Sequence, residues 1–162
     1  MGLVRVVWGT ATGPTATASY DAALAEANVH DYNLVTVSSV LPGDARLEVV
    51  GEAPDLGPAG NGLTVVQGRV TLAPGDDGTA AAAALGWSRS AEGPGIFYEA
   101  GGTDPDAVRR RVEDGLEHGR SLRPDRTWDG EDGLRLVTAE SDPKRYVTAL
   151  VLAVYGESDP LC

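Results

Sequence analysis

Cysteine, lysine and histidine are nearly missing from these 162 residues. The single cysteine, Cys162, has no second thiol for an internal disulfide, which fits a reducing compartment such as the cytoplasm. Lys144 is the one lysine among 13 basic residues, and it sits in a Ser141-Asp142-Pro143-Lys144 turn, a poor seat for a lysine-bound cofactor. His30 and His118 lie far apart and belong to no His/Cys cluster with ligand spacing, so no metal site is expected. No apolar run reaches the ~18 residues that suggest a membrane helix. The opening Met1-Gly2-Leu3-Val4-Arg5 passes straight into a strand pattern, without the apolar core of a secretory signal. Positive charge is scarce as well. The net charge of -11 argues against a nucleic-acid partner, because neutralising phosphates takes lysine and arginine.

Acidic excess with one lysine is the composition expected of a salt-adapted, halophilic cytoplasm, where negative charge keeps a protein soluble and salt screens its self-repulsion. An ordinary acidic protein from a GC-rich genome would look similar. The length suits one domain with a sizeable core, and neither an internal repeat nor a second domain is visible.

Several segments have readable local chemistry. Leu3–Trp8 reads as a strand buried on both faces, followed by a loop from Gly9 to Thr15. Residues 17–28 read as an alanine-rich helix that Ser19 can cap, with Asp21, Leu24, Ala25 and Asn28 on one face. Residues 33–41 read as one strand, closed by a Pro42-Gly43-Asp44 turn. Another strand is expected to begin over 45–50, and Gly51 to Gly62 is a loop. Residues 63–72 are one long strand or a strand pair, and Pro74 to Gly78 is a turn. Thr79 to Arg89 reads as a strand despite its alanines, and Ile96 to Ala100 as a short strand bounded by glycines. Asp104-Pro105 opens the clearest helix. Val108, Val112 and Leu116 form its apolar stripe, Gly119 is a fitting stop, and Arg109-Arg110-Arg111 reads as a solvated face paired with Asp106, Glu113 and Asp114. Residues 120–132 read as a polar loop, and 134–140 and 145–155 as the last strands.

The segment carrying the most chemical interest is Asn33-Leu34-Val35-Thr36-Val37-Ser38-Ser39-Val40-Leu41-Pro42. Adjacent serines near a strand end are usually plain polar positions. Here they follow Asp21-Ala22-Ala23-Leu24 and precede Glu99 in Gly95-Ile96-Phe97-Tyr98-Glu99-Ala100. In that order and spacing the sequence resembles the pyruvoyl-dependent arginine decarboxylases, most specifically over residues 19–42. One departure is Ala27 to Tyr32, where the relatives are glycine-richer, and His30 and Asp31 there could alter substrate preference.

The resemblance implies an α/β (α+β) fold, a single-domain four-layer αββα sandwich over 1–162, assembled as a homotrimer or a dimer of trimers. It implies autocatalytic cleavage between Ser38 and Ser39, giving chains 1–38 and 39–162 with a pyruvoyl group derived from Ser39. That group would form a Schiff base with L-arginine and release carbon dioxide and agmatine, for polyamine biosynthesis or tRNA modification. Glu99 would protonate Cα, Asn33 would help hold the cleavage geometry, Asp21 would meet the guanidinium, and Leu24 would pack on the aliphatic stem. Ordinary uses exist for each: helix N-terminal charge for Asp21, a surface strand position for Glu99, and the start of a strand for Asn33. Rival readings are the same chemistry on another amino acid, or an unprocessed ligand-binding homologue without catalysis.

Overall fold

Two hydrophobic patterns meet in this chain: central strands buried on both faces, such as residues 80–89 and 146–155, and two helices that each cover one sheet. A computed structural model describes residues 2–76 and 80–162. In chain order the elements are β1 (Leu3–Gly13), α1 (Ala16–Glu26), β2 (Asn33–Thr36), β3 (Val40–Leu41), β4 (Arg46–Gly51) and β5 (Gly62–Leu72). They continue with β6 (Ala80–Arg89), β7 (Gly95–Gly102), α2 (Pro105–Ser121), β8 (Asp132–Glu140) and β9 (Tyr146–Tyr155). One sheet runs β2-β5-β9-β1-β4 and the other β3-β7-β6-β8.

Three clusters of buried side chains separate four layers. Val6, Val66, Ala83, Leu85, Phe97 and Val151 fill the space between the sheets. Val7, Ala23, Leu24, Leu63 and Leu152 join α1 to the outer face of the first sheet. Ala82, Ala84, Val108, Val112 and Leu116 join α2 to the second. The architecture is therefore the αββα sandwich. The alanines of β6 are explained by this packing: all of Ala81 to Ala84 are buried, between a helix on one side and a sheet on the other. Small side chains let both layers approach, and tertiary packing overrides the helical preference of alanine.

The two helices are held differently. Asp104 caps α2 by accepting from the Asp106 and Ala107 amides, with Pro105 in the first turn, as its sequence predicts. The helix runs past Gly119 to Ser121, however, because Gly119 is not a stop. It is buried, and a Cβ there would press on Ile96 and Tyr98. Of the arginine run, Arg109 faces Glu113 at 4.0 Å, while Arg111 donates to the Gly101 carbonyl.

Helix α1 begins earlier than expected. Thr15 is its cap, accepting from the Ala18 amide, and Ser19 is instead fully buried, with its hydroxyl 2.7 Å from that of Thr148. The expected loop 9–15 is mostly strand, since β1 continues to Gly13 in register with β9. Gly9 permits that: a Cβ there would fall on the Ala23 carbonyl of α1.

Residues 62–72 form one strand, and 80–89 forms the expected strand from Ala80 onward. Asp77, Gly78 and Thr79, expected at a turn and a strand start, lie outside the described residues. The single strand expected over 33–41 is in fact two, and the break between them falls on the serines.

Candidate active site

Strand β2 pairs in parallel with β5, from Asn33 opposite Gly62 to Thr36 opposite Val65, and the Val37 amide still donates to Val65. The chain then leaves this sheet and joins the other, where Val40 and Leu41 pair antiparallel with Ile96 and Gly95 of β7. Ser38 and Ser39 make the crossing. A continuous strand is impossible here because its two ends belong to different sheets.

The crossing is tightly held. The Val40 amide donates to the Ser38 carbonyl at 2.9 Å, which closes a three-residue turn centred on Ser39. The Phe97 amide donates to the Ser39 carbonyl at 2.8 Å. The Tyr155 hydroxyl, at the end of β9, donates to the Val40 carbonyl at 2.7 Å. Three consecutive carbonyls thus receive donors from three places.

Ser39 Oγ donates to Glu99 Oε2 at 3.0 Å. The partners are 60 positions apart in sequence, and β7 brings them together because its Phe97 amide also anchors Ser39. Glu99 is exposed as a residue, but its carboxyl sits in a half-enclosed corner. Burial pushes its pKa up, opposed by the Ser39 hydrogen bond. Nearby Tyr155 is pushed up to about 12, by burial first and then by the Glu99 charge. Its ring meets the fully buried Phe97 edge-on, with centroids 6.2 Å apart.

Beside this corner is a cavity of about 300 Å³, lined by Ser38, Ser39, Glu99, Tyr98, Leu122 and Arg123 among others. The arrangement can do two things. A carboxylate in contact with a serine hydroxyl can take its proton, and the hydroxyl lies next to the Ser38 carbonyl, whose oxygen already has an amide donor. A carboxyl with a raised pKa can also return a proton to a group in the cavity.

The other predicted residues lie elsewhere in the chain. Asn33 starts β2, at the end away from the serines, and its side-chain amide donates to the Gly60 carbonyl at 2.8 Å. Leu24 is buried between α1 and the first sheet. Asp21 is exposed on α1 and, among the described residues, has no ion-pair partner. Since α1 covers the first sheet while the cavity adjoins β7 and the end of α2, Asp21 and Ser39 are not brought together within one chain. His30 and Asp31 line a separate cavity with Tyr32, Asp55 and Gly57.

A family model for pyruvoyl-dependent arginine decarboxylase matches residues 3–160. The chain belongs to the pyruvoyl-dependent arginine decarboxylase family. Among similar curated proteins, a pyruvoyl-dependent arginine decarboxylase from Halobacterium salinarum is 48% identical over 164 aligned positions, which cover 99% of this chain and 98% of the relative. One from Methanopyrus kandleri is 31% identical, covering 86% and 85%. Another from Pyrococcus abyssi is 31% identical, covering 90% of each.

Members of this decarboxylase family depend on a pyruvoyl group, and the residues present fit one at position 39. Ser39 is the serine with a carboxylate on its hydroxyl, and the Phe97 amide already holds the Ser39 carbonyl, which would be the amide carbonyl of the group itself. Tyr155, Leu122 and Arg123 were not foreseen in the sequence. Tyr155 offers one signal in retrospect: it is a polar-tipped aromatic closing a ten-residue strand. The other two follow a helix end, and nothing local marks them.

Proposed function

We propose that this chain cleaves itself between Ser38 and Ser39 and, through the pyruvoyl group so formed, decarboxylates L-arginine to agmatine. The 3.0 Å hydrogen bond from Ser39 Oγ to Glu99 is the observation that carries this reading. Glu99 takes the hydroxyl proton while Ser39 Oγ adds to the Ser38 carbonyl carbon, and the Val40 amide stabilises the charge gathering on that oxygen. A pyruvoyl carbonyl supplies the electron sink that a carbanion at Cα requires and that free side chains lack. In turnover Glu99 then serves as the acid that protonates Cα, a task its raised pKa suits.

Recognition of the substrate needs a second copy. Asp21 is an exposed carboxylate on the opposite outer layer, suited to two parallel hydrogen bonds from a guanidinium. A homotrimer, or a dimer of trimers, would bring Asp21 of one copy to the cavity of the next. The exposed apolar side chains of Val35, Val37 and Val40, 36–47% accessible and flanking the serines, support an assembly closing over this corner. Leu24 would act from below, by setting the pitch of α1. Asn33 would act through the Gly60 loop or toward a neighbouring copy. No helix among the described residues is long and apolar enough to cross a membrane; we place the enzyme in the cytoplasm on its single terminal thiol.

The test is intact mass on a denatured sample. Two chains, 1–38 and a 39–162 chain without a terminal amine, are expected, and S39A is expected to stay whole and inactive. A wild-type chain that remains full length, or an active S39A, sinks the reading.

A further inference from the structure

Self-cleavage needs the Ser38 carbonyl oxygen held by a donor as the Ser39 hydroxyl adds to its carbon. In this chain that donor is the Val40 amide, 2.9 Å away, and what keeps it there is the anchoring of the two peptides that follow. One anchor is the Phe97 amide on the Ser39 carbonyl, a backbone contact of the β3–β7 pairing. The pairing is only two residues long, so it is a weak clamp on its own. The other anchor is a side chain from the first sheet: the Tyr155 hydroxyl on the Val40 carbonyl at 2.7 Å. Tyr155 thereby ties the crossing to both sheets, and its ring is braced edge-on against Phe97.

We propose that Tyr155 is a positioning residue for self-cleavage, holding the Val40 peptide so that its N–H stays on the Ser38 oxygen where negative charge develops. The proposal rests on the self-cleavage reading above. The step it serves is an isomerisation. The Ser39 Oγ–Ser38 carbon bond forms, the Ser38 carbon–Ser39 nitrogen bond breaks, and the hydroxyl proton passes by way of Glu99 to the freed amine. No oxidant or further reactant is consumed. Tyr155 touches neither the attacking oxygen nor the carbonyl that receives it. It works through the peptide between them, and it stays protonated at working pH with its pKa about 12.

The experiment follows cleavage of freshly made chain with time, by gel and intact mass. Y155F keeps the ring and removes the hydroxyl. It is expected to melt as the parent does and to cleave about three- to tenfold more slowly, the worth of one hydrogen bond. V40P removes the amide donor itself and is expected to slow cleavage by about a hundredfold or more. Hydroxylamine, which cuts an ester once formed, separates positioning from a general structural role. Because Tyr155 serves ester formation, hydroxylamine should leave Y155F slow. Cleavage of Y155F at the parental rate overturns the proposal, as does restoration of the parental rate by hydroxylamine. Should Y155F fail to melt cooperatively, V40P decides: parental cleavage there overturns it. Failure of the underlying reading looks different, since the wild-type chain itself would then stay whole.

Discussion

The Ser39 corner and the α1 face are both polar, yet only one is complete within the chain. At the corner, Ser38, Ser39, Val40, Phe97, Glu99 and Tyr155 come from three separate strands or their crossing and already contact one another. On α1, Asp21 has no ion-pair partner among the described residues, and its neighbour Leu24 is turned into the core. The difference teaches how the labour divides. On the function proposed above, the bond-breaking groups are held by backbone hydrogen bonds and strand pairing, whereas Asp21 would reach the guanidinium from a neighbouring copy. The same proposed assembly would cover Val35, Val37 and Val40, which are exposed beside the serines.

Predictions that bear on this contrast differ in size. E99Q strikes the corner itself. It keeps the shape but removes the proton carrier, so self-cleavage should slow, and in the pyruvoyl form that does accumulate kcat with arginine should fall by about a hundredfold to ten-thousandfold. A mild loss would mean that the corner is merely structural.

D21A should leave cleavage intact and lower kcat/KM for arginine by about ten- to a hundredfold, the worth of charge-assisted hydrogen bonds. Co-expressing D21A with E99Q sharpens the point. If the two residues serve one site from different copies, random mixing leaves about a quarter of the sites with both intact, and activity returns above either variant alone. No return would place Asp21 outside the site or within one chain.

The smallest effect is on stability. Burial raises the folded-state pKa of Glu99 above its unfolded value, so its contribution is fully present below the ordinary glutamate range and is lost as pH rises through the raised value. Melting of the parent relative to E99Q should therefore weaken over that rise and level off above it. A constant gap between the two would show that the Glu99 carboxyl is not desolvated.

Much of the fold was legible along the chain. Asp104-Pro105 and the Val108, Val112, Leu116 stripe announce α2, because capping and helical periodicity are local properties. Helix α1 was misplaced at its start, since Ser19 has the chemistry of a cap and is used instead in a buried hydroxyl contact with Thr148, 129 positions away. Strand β1 was cut short because Gly9 to Gly13 looks like a loop until α1 is laid against it. At the site, Ser39 and Glu99 could be named from a family pattern, while Tyr155 and Arg123 could not, as nothing within several residues of either hints at the serines.

By itself the sequence determined the elements whose signals are local, the residue types available for chemistry, and a charge of -11 that leaves few groups for phosphates. Tertiary structure alone decided that the apparent strand 33–41 breaks at the serines, because its halves pair with β5 and β7 in different sheets. That break turns Ser39 toward Glu99 and gives the Ser38 carbonyl its amide donor. The physical reason is that hydrogen-bond partners in a sheet are chosen by neighbours far along the chain, so where a strand ends is settled between strands and not within one.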